Sequence, residues 1–73
     1  MPLLNYIRGK ILWSLERYEQ ALDEWDVILS MGIAEVAKNG YGVRWAKSAI
    51  KTMLDAIRRI VSIIYLEIKR LWY

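Results

Sequence analysis

From Val43 to the end of the chain no Gly or Pro interrupts a recurrence of apolar residues at spacings of three and four: Val43, Ala46, Ile50, Met53 with Leu54, Ile57, Ile60 with Val61, Ile64, Ile68 and Leu71. That spacing marks one face of an α-helix, and no alternating strand pattern competes with it. At about 1.5 Å per residue the segment 43–73 makes a helix of about 46 Å. Between Ile60 and Ile68 only Ser62 and Glu67 interrupt Ile, Val, Tyr and Leu. A helix apolar on all sides has to be surrounded.

The first half carries the same signal. Pro2 suits a first helical turn, where its missing N–H costs nothing. Leu4, Ile7, Ile11, Leu15, Tyr18, Leu22, Trp25 and Leu29 then recur at three and four. Leu12, Trp13, Val27 and Ile28 widen the stripe. Gly9 falls inside the pattern without interrupting it, and Gly32 reads as a kink, since a mid-helix Gly costs only about 1 kcal/mol. The stronger break is Asn39-Gly40-Tyr41-Gly42, preceded by the last-turn cation Lys38 and suited to a left-handed cap. The expected fold is all-α. It is a single domain over 1–73, a long antiparallel helical hairpin with helices over about 3–38 and 43–73 and a turn at 39–42. Its first arm spans about 54 Å. Asp23 and Glu24 then lie level with Arg58 and Arg59. Lys51–Asp55, Asp55 with Arg58 or Arg59, and Glu67–Arg70 have the spacing of helical ion pairs. The alternative is a compact bundle in which a break at Gly32 folds 33–38 back as a third helix.

A hairpin has one internal seam, and 73 residues of which 56% are hydrophobic hold more apolar surface than one seam takes up. Chains this small usually depend on disulfides, a metal or partner subunits. With no Cys and no His, disulfides, thiolate chemistry and the usual zinc, haem and iron–sulfur ligand sets are excluded. Partner chains or very efficient helix packing remain. The expected interface comprises Trp13, Trp25, Ile60, Ile63, Ile64, Tyr65, Leu66, Ile68 and Trp72, large apolar side chains suited to contacts between molecules. Apolar runs fall short of a bilayer span, and the N-terminus has no secretory pattern.

The net charge of +3 is mild, and its distribution is more informative. Glu16, Glu19, Asp23, Glu24 and Asp26 face only Arg17 within residues 11–31, whereas Lys38, Arg44, Lys47 and Lys51 cluster around the turn beside Asn39, Tyr41 and Trp45. Arg44, Lys47 and Lys51 share a helix face near a helix N-terminus that favours anions. Such a tip suits a phosphate backbone held without base readout; the plain alternative is a solvated turn. The acidic block reads as a solvated or salt-bridged face and argues against a membrane-surface helix, which sets one cationic face against one apolar face.

Nothing points to an enzyme. The carboxylates lie mostly off the apolar stripe, and Ser14, Ser30, Ser48, Ser62 and Thr52 have no His to activate them. Gly40-Tyr41-Gly42 is too short for a phosphate loop, and no calcium-loop spacing exists. No catalytic residue, metal, cofactor or small-molecule substrate is expected.

Leu15-Glu-Arg-Tyr18-Glu-Gln-Ala21-Leu22-Asp-Glu-Trp25-Asp-Val-Ile28-Leu29 resembles the second helix of a tetratricopeptide repeat, a unit that cannot bury its own apolar face without neighbours. The whole chain resembles the small major capsid proteins of rod-shaped or filamentous viruses of hyperthermophilic archaea. The likeness rests on a long apolar helical hairpin, basic at its bend, with Asn and Gln confined to Asn5, Asn39 and Gln20, since few thermolabile side chains suit hot environments. It implies a virion protein whose copies pack side by side around DNA, with Lys38, Arg44, Lys47 and Lys51 toward the genome and Ile60–Ile68 and the tryptophans between subunits. The leading expectation is therefore a self-assembling structural subunit, many copies of which coat nucleic acid. The alternatives are a small oligomeric regulator that binds DNA or a partner helix and resides in the cytoplasm, and, third, a membrane-surface-active helical protein.

Overall fold

The uninterrupted periodicity after the second turn emerges as one long rod. In the computed structural model, which describes residues 1–39 and 41–72, helix α4 runs Val43–Trp72. Three shorter helices precede it: α1 Pro2–Ser14, α2 Tyr18–Leu29 and α3 Gly32–Lys38. The all-α class holds. The first arm, expected as one helix over 3–38, is instead broken at Leu15–Arg17 and at Ser30–Met31. Gly40 and Tyr73, part of the expected turn and the expected end of the second helix, lie outside the described residues.

The first break has a local cause. The backbone N–H of Arg17 donates to Leu12 O at 2.9 Å and that of Glu16 to Trp13 O at 3.0 Å, while Glu16 adopts φ 61°. This is a Schellman cap, in which a left-handed residue lets the last carbonyls of α1 find donors. Glycine normally fills that position. At the second break Gly32 takes φ 81°, and Gly42 takes φ 92° just before α4; both conformations are open to Gly at little cost. Asn39 is not left-handed. Its φ is −99°, and its side-chain amide donates to Glu35 O at 2.9 Å.

α1 and α2 form an antiparallel pair. Asn5 Nδ2 donates to Glu24 Oε2 at 3.0 Å, near one end, and Trp13 meets Tyr18 edge-on at 4.8 Å near the other. Between these points Trp25 Nε1 donates to Tyr6 O at 3.2 Å, and the Trp25 and Trp13 rings stack at 5.1 Å. Gly9 is buried beneath Trp25. The absent side chain there lets the two helices approach.

α3 packs on α4, and α2 bridges to both. The buried centre is Trp25, Ile28, Val36, Ala46, Ala49 and Met53, flanked by Tyr6, Trp13, Leu29, Met31, Trp45 and Ile50. α4 contributes to this centre only from its first half. Its long axis dominates the molecule, which measures 47 × 20 × 15 Å. The break near Gly32 thus returns 33–38 as a third helix against α4, the arrangement of the compact alternative, although much of α4 lies outside the bundle.

Candidate assembly and polyanion surfaces

The apolar stripe of α4 outruns the core that covers it. Ala46, Ala49 and Met53 are buried, Ile57 and Ile60 half-buried, and every described residue from Val61 onward is exposed. Ile64 retains 52% of its accessible surface, Leu66 61% and Trp72 80%. Twelve residues at about 1.5 Å each make a free segment roughly 18 Å long. Of the expected interface, Ile63, Ile64, Tyr65, Leu66, Ile68 and Trp72 lie on this segment in the open, with Ile60 at its root. Trp25 does not: it is 2% exposed and belongs to the protomer's own core. Trp13 is half-buried, stacked on Trp25. Both tryptophans are recruited inward because Gly9 leaves room for the Trp25 indole between α1 and α2.

A second exposed apolar surface lies where burial had been expected. Leu4, Ile7 and Ile11 on the outside of α1, and Leu15 at its C-terminal cap, are each 42–59% exposed. The inward side carries Pro2, Tyr6, Gly9 and Trp13 instead. Both rows have helical spacing, so periodicity alone identifies two candidate faces. The small Gly9 between two aromatics is the signal that selects the inner one.

Lys38, at the last turn of α3, and Arg44, Lys47 and Lys51, on the first turns of α4, are all exposed. Lys51 is tied to Asp55 at 3.1 Å, and Asp55 also meets Arg58 at 3.9 Å. Such exposed helical pairs contribute roughly a few tenths of a kcal/mol. Lys38, Arg44 and Lys47 have no ion-pair partner among the described residues. Arg44, Lys47, Lys51 and Arg58 fall along one side of α4, so the basic tip extends into a ridge. The Glu67–Arg70 pair forms at 3.7 Å. Glu24 turns toward Asn5 and toward Arg8, at 3.6 Å, and not toward Arg58 or Arg59; the break at Leu15–Arg17 folds α2 back on α1. Glu16, Glu19, Asp23 and Asp26 are exposed.

Of the hydroxyls, Ser14 donates to Ile11 O, Ser30 to Val27 O and Thr52 to Ser48 O, each turned back on its own helix. A cleft of about 400 Å³ opens where Lys10, Trp13 and Ser14 of α1 meet Thr52, Asp55 and Arg59 of α4. With Tyr6 against Trp45 at 5.8 Å, it fixes α1 and α4 as running in the same sense. No group of His, Cys, Asp or Glu suited to a metal occurs among the described residues, and none of their helices is long and apolar enough to cross a membrane. No protein-family model, curated protein or solved structure matches the chain.

Proposed function

We propose that the chain is a self-assembling structural subunit, built to form an extended array of the kind that coats a nucleic acid. The observation that carries this reading is the free half of α4. Its apolar side chains point in more than one direction: Ile64, Ile68 and Leu71 lie on one side, Ile63 and Leu66 on another, more than about 100° apart on a helical wheel at 3.6 residues per turn. One partner helix covers only a stripe of about that width. Each free segment therefore calls for more than one neighbour, which favours an array over a closed pair. Covering a half-exposed Ile or Leu contributes about 1 kcal/mol, and association costs several kcal/mol at least, so repeated joints are needed.

The basic ridge supplies the second half of the reading. Arrayed copies multiply Lys38, Arg44 and Lys47 into a continuous cationic surface, and phosphate neutralisation without base readout needs nothing more specific. Sedimentation and electron microscopy of the purified protein, with and without duplex DNA, test the proposal. The expected result is concentration-dependent growth into long particles. A monodisperse monomer at micromolar concentration overturns it, and a closed dimer or tetramer with salt-dependent DNA affinity favours a regulator instead.

A further inference from the structure

α1 and α4 touch at one place and part beyond it. Tyr6 meets Trp45 edge-on at 5.8 Å. Further along, α4 turns the small Thr52 and Ala56 toward α1, and the cleft of about 400 Å³ opens between the two helices. That volume falls within the range of about 300–1,000 Å³ usual for small-molecule sites. Trp13, stacked on Trp25 at 5.1 Å, forms its aromatic wall. Lys10 of α1 and Arg59 of α4 line it, one cation from each helix. We infer that this cleft binds a small, flat aromatic anion, with its ring against Trp13 and its phosphate or carboxylate between Lys10 and Arg59. The inference concerns the single protomer and does not rest on self-assembly.

The other polar groups of the lining are already engaged. The Asp55 carboxylate is held by Lys51 at 3.1 Å and meets Arg58 at 3.9 Å. The Ser14 hydroxyl donates to Ile11 O and that of Thr52 to Ser48 O. At the adjoining end of α1 the carbonyls of Leu12 and Trp13 accept from the backbone N–H groups of Arg17 and Glu16. Lys10 and Arg59, in contrast, have no carboxylate partner among the described residues. The Lys10 ammonium lies over the Tyr6 ring at 5.5 Å, a contact that leaves its donors open to an anion.

The two features select one kind of ligand. Two uncompensated cations in one cleft favour a negative group that accepts charge-assisted hydrogen bonds from both. An indole wall favours a second ring, set edge-on or offset, over an aliphatic chain. Inorganic phosphate alone would meet only the cations, and a neutral ring only the wall. A flat aromatic anion uses the whole lining.

Isothermal titration calorimetry of the protein with naphthyl phosphate tests the site. Its affinity is expected to exceed that of naphthol, and that of inorganic phosphate, by about tenfold or more, the value of one charge-assisted hydrogen bond. Lys10→Gln and Arg59→Gln, both at exposed positions, should each weaken binding several-fold. Lys69→Gln removes the same charge from the far end of α4 and should leave binding unchanged. Thr52→Trp, also at an exposed position, places a ring in the cleft and should abolish binding while circular dichroism shows the helices intact. Inorganic phosphate or naphthol binding as tightly as naphthyl phosphate would overturn the inference, because half the lining would then suffice. Equal weakening by Lys69→Gln would reduce the effect to general charge attraction and overturn the site. Binding retained by Thr52→Trp, or none by the unmodified chain at millimolar naphthyl phosphate, would overturn it too.

Discussion

Gly9 lies so close to the pyrrole edge of Trp25 that a methyl group in its place would overlap the ring. The indole has little room to retreat. It is buried, hydrogen-bonded to Tyr6 O at 3.2 Å, and stacked on Trp13. Gly9→Ala sets two effects against each other. Replacing a mid-helix Gly gains about 1 kcal/mol of helix propensity, while overpacking a fitted core costs about 1–3 kcal/mol or more. The overlap involves ring atoms and no flexible chain end, so the steric term prevails. Urea unfolding followed by tryptophan fluorescence is expected to show a net loss of about 1–2 kcal/mol; a gain would mean that α1 and α2 are not in contact at Gly9.

Glu16 holds the left-handed cap position between α1 and α2 at φ 61°, a conformation that costs a residue with a Cβ roughly 1–2 kcal/mol. Glu16→Gly keeps both cap hydrogen bonds and removes that strain. Part of the gain is offset by the entropy Gly loses on folding. The expected change is a stabilisation of about 0.5–1 kcal/mol, read as a higher urea midpoint at unchanged slope. Destabilisation would indicate that residues 15–17 continue the helix.

Ile28 and Leu71 separate folding from association. Ile28 is fully buried, and Leu71 is 81% exposed. Ile28→Ala is expected to cost about 2–4 kcal/mol and to lower the unfolding midpoint at any protein concentration. Leu71→Ala is expected to leave the midpoint of the dilute protein unchanged and to shift the sedimentation profile toward smaller species. A stability loss with Leu71→Ala in dilute solution would place that side chain inside the protomer.

The basic ridge makes a graded prediction. Lys47 is unpaired among the described residues, whereas Lys51 already meets Asp55 at 3.1 Å. Lys47→Gln should therefore weaken binding to duplex DNA more than Lys51→Gln. Each lost phosphate contact should reduce the slope of log affinity against log salt by about 1. Equal effects from the two, or none at low salt, would remove this face from contact with polyanions.

How far the sequence reached can be seen at its two missed features. The turn before α4 is legible because Gly42 stands where the backbone takes positive φ, whereas Gly32, read as a kink within one helix, ends α2 and starts α3. The turn at Glu16 is not legible, because a residue with no turn preference holds the left-handed position while Leu15, Tyr18 and Leu22 carry the helical spacing straight across it. Size alone points Trp25 to an interface; its burial depends on Gly9, on the preceding helix, where the missing side chain admits the indole. The unpartnered part of α4 was readable in advance, since Ile60–Ile68 is apolar on every side in a chain too short to enclose it. Composition fixed how much surface lacked cover, and only the packing of α1 on α2 fixed which rows remained outside.

The free half of α4 has a kinetic consequence. In a lone protomer it continues a helix already nucleated by its packed first half, so it pays no initiation penalty, but its β-branched Val61, Ile63, Ile64 and Ile68 are only moderate helix formers. Its last turns have no neighbour within the protomer to hold them, and in the proposed array a first encounter would have to order any frayed turn before apolar contact is won. In the proposed array later encounters would meet a particle end that is already ordered. Growth should thus be preceded by a lag and governed by a threshold concentration, with far-ultraviolet helicity rising as particles appear.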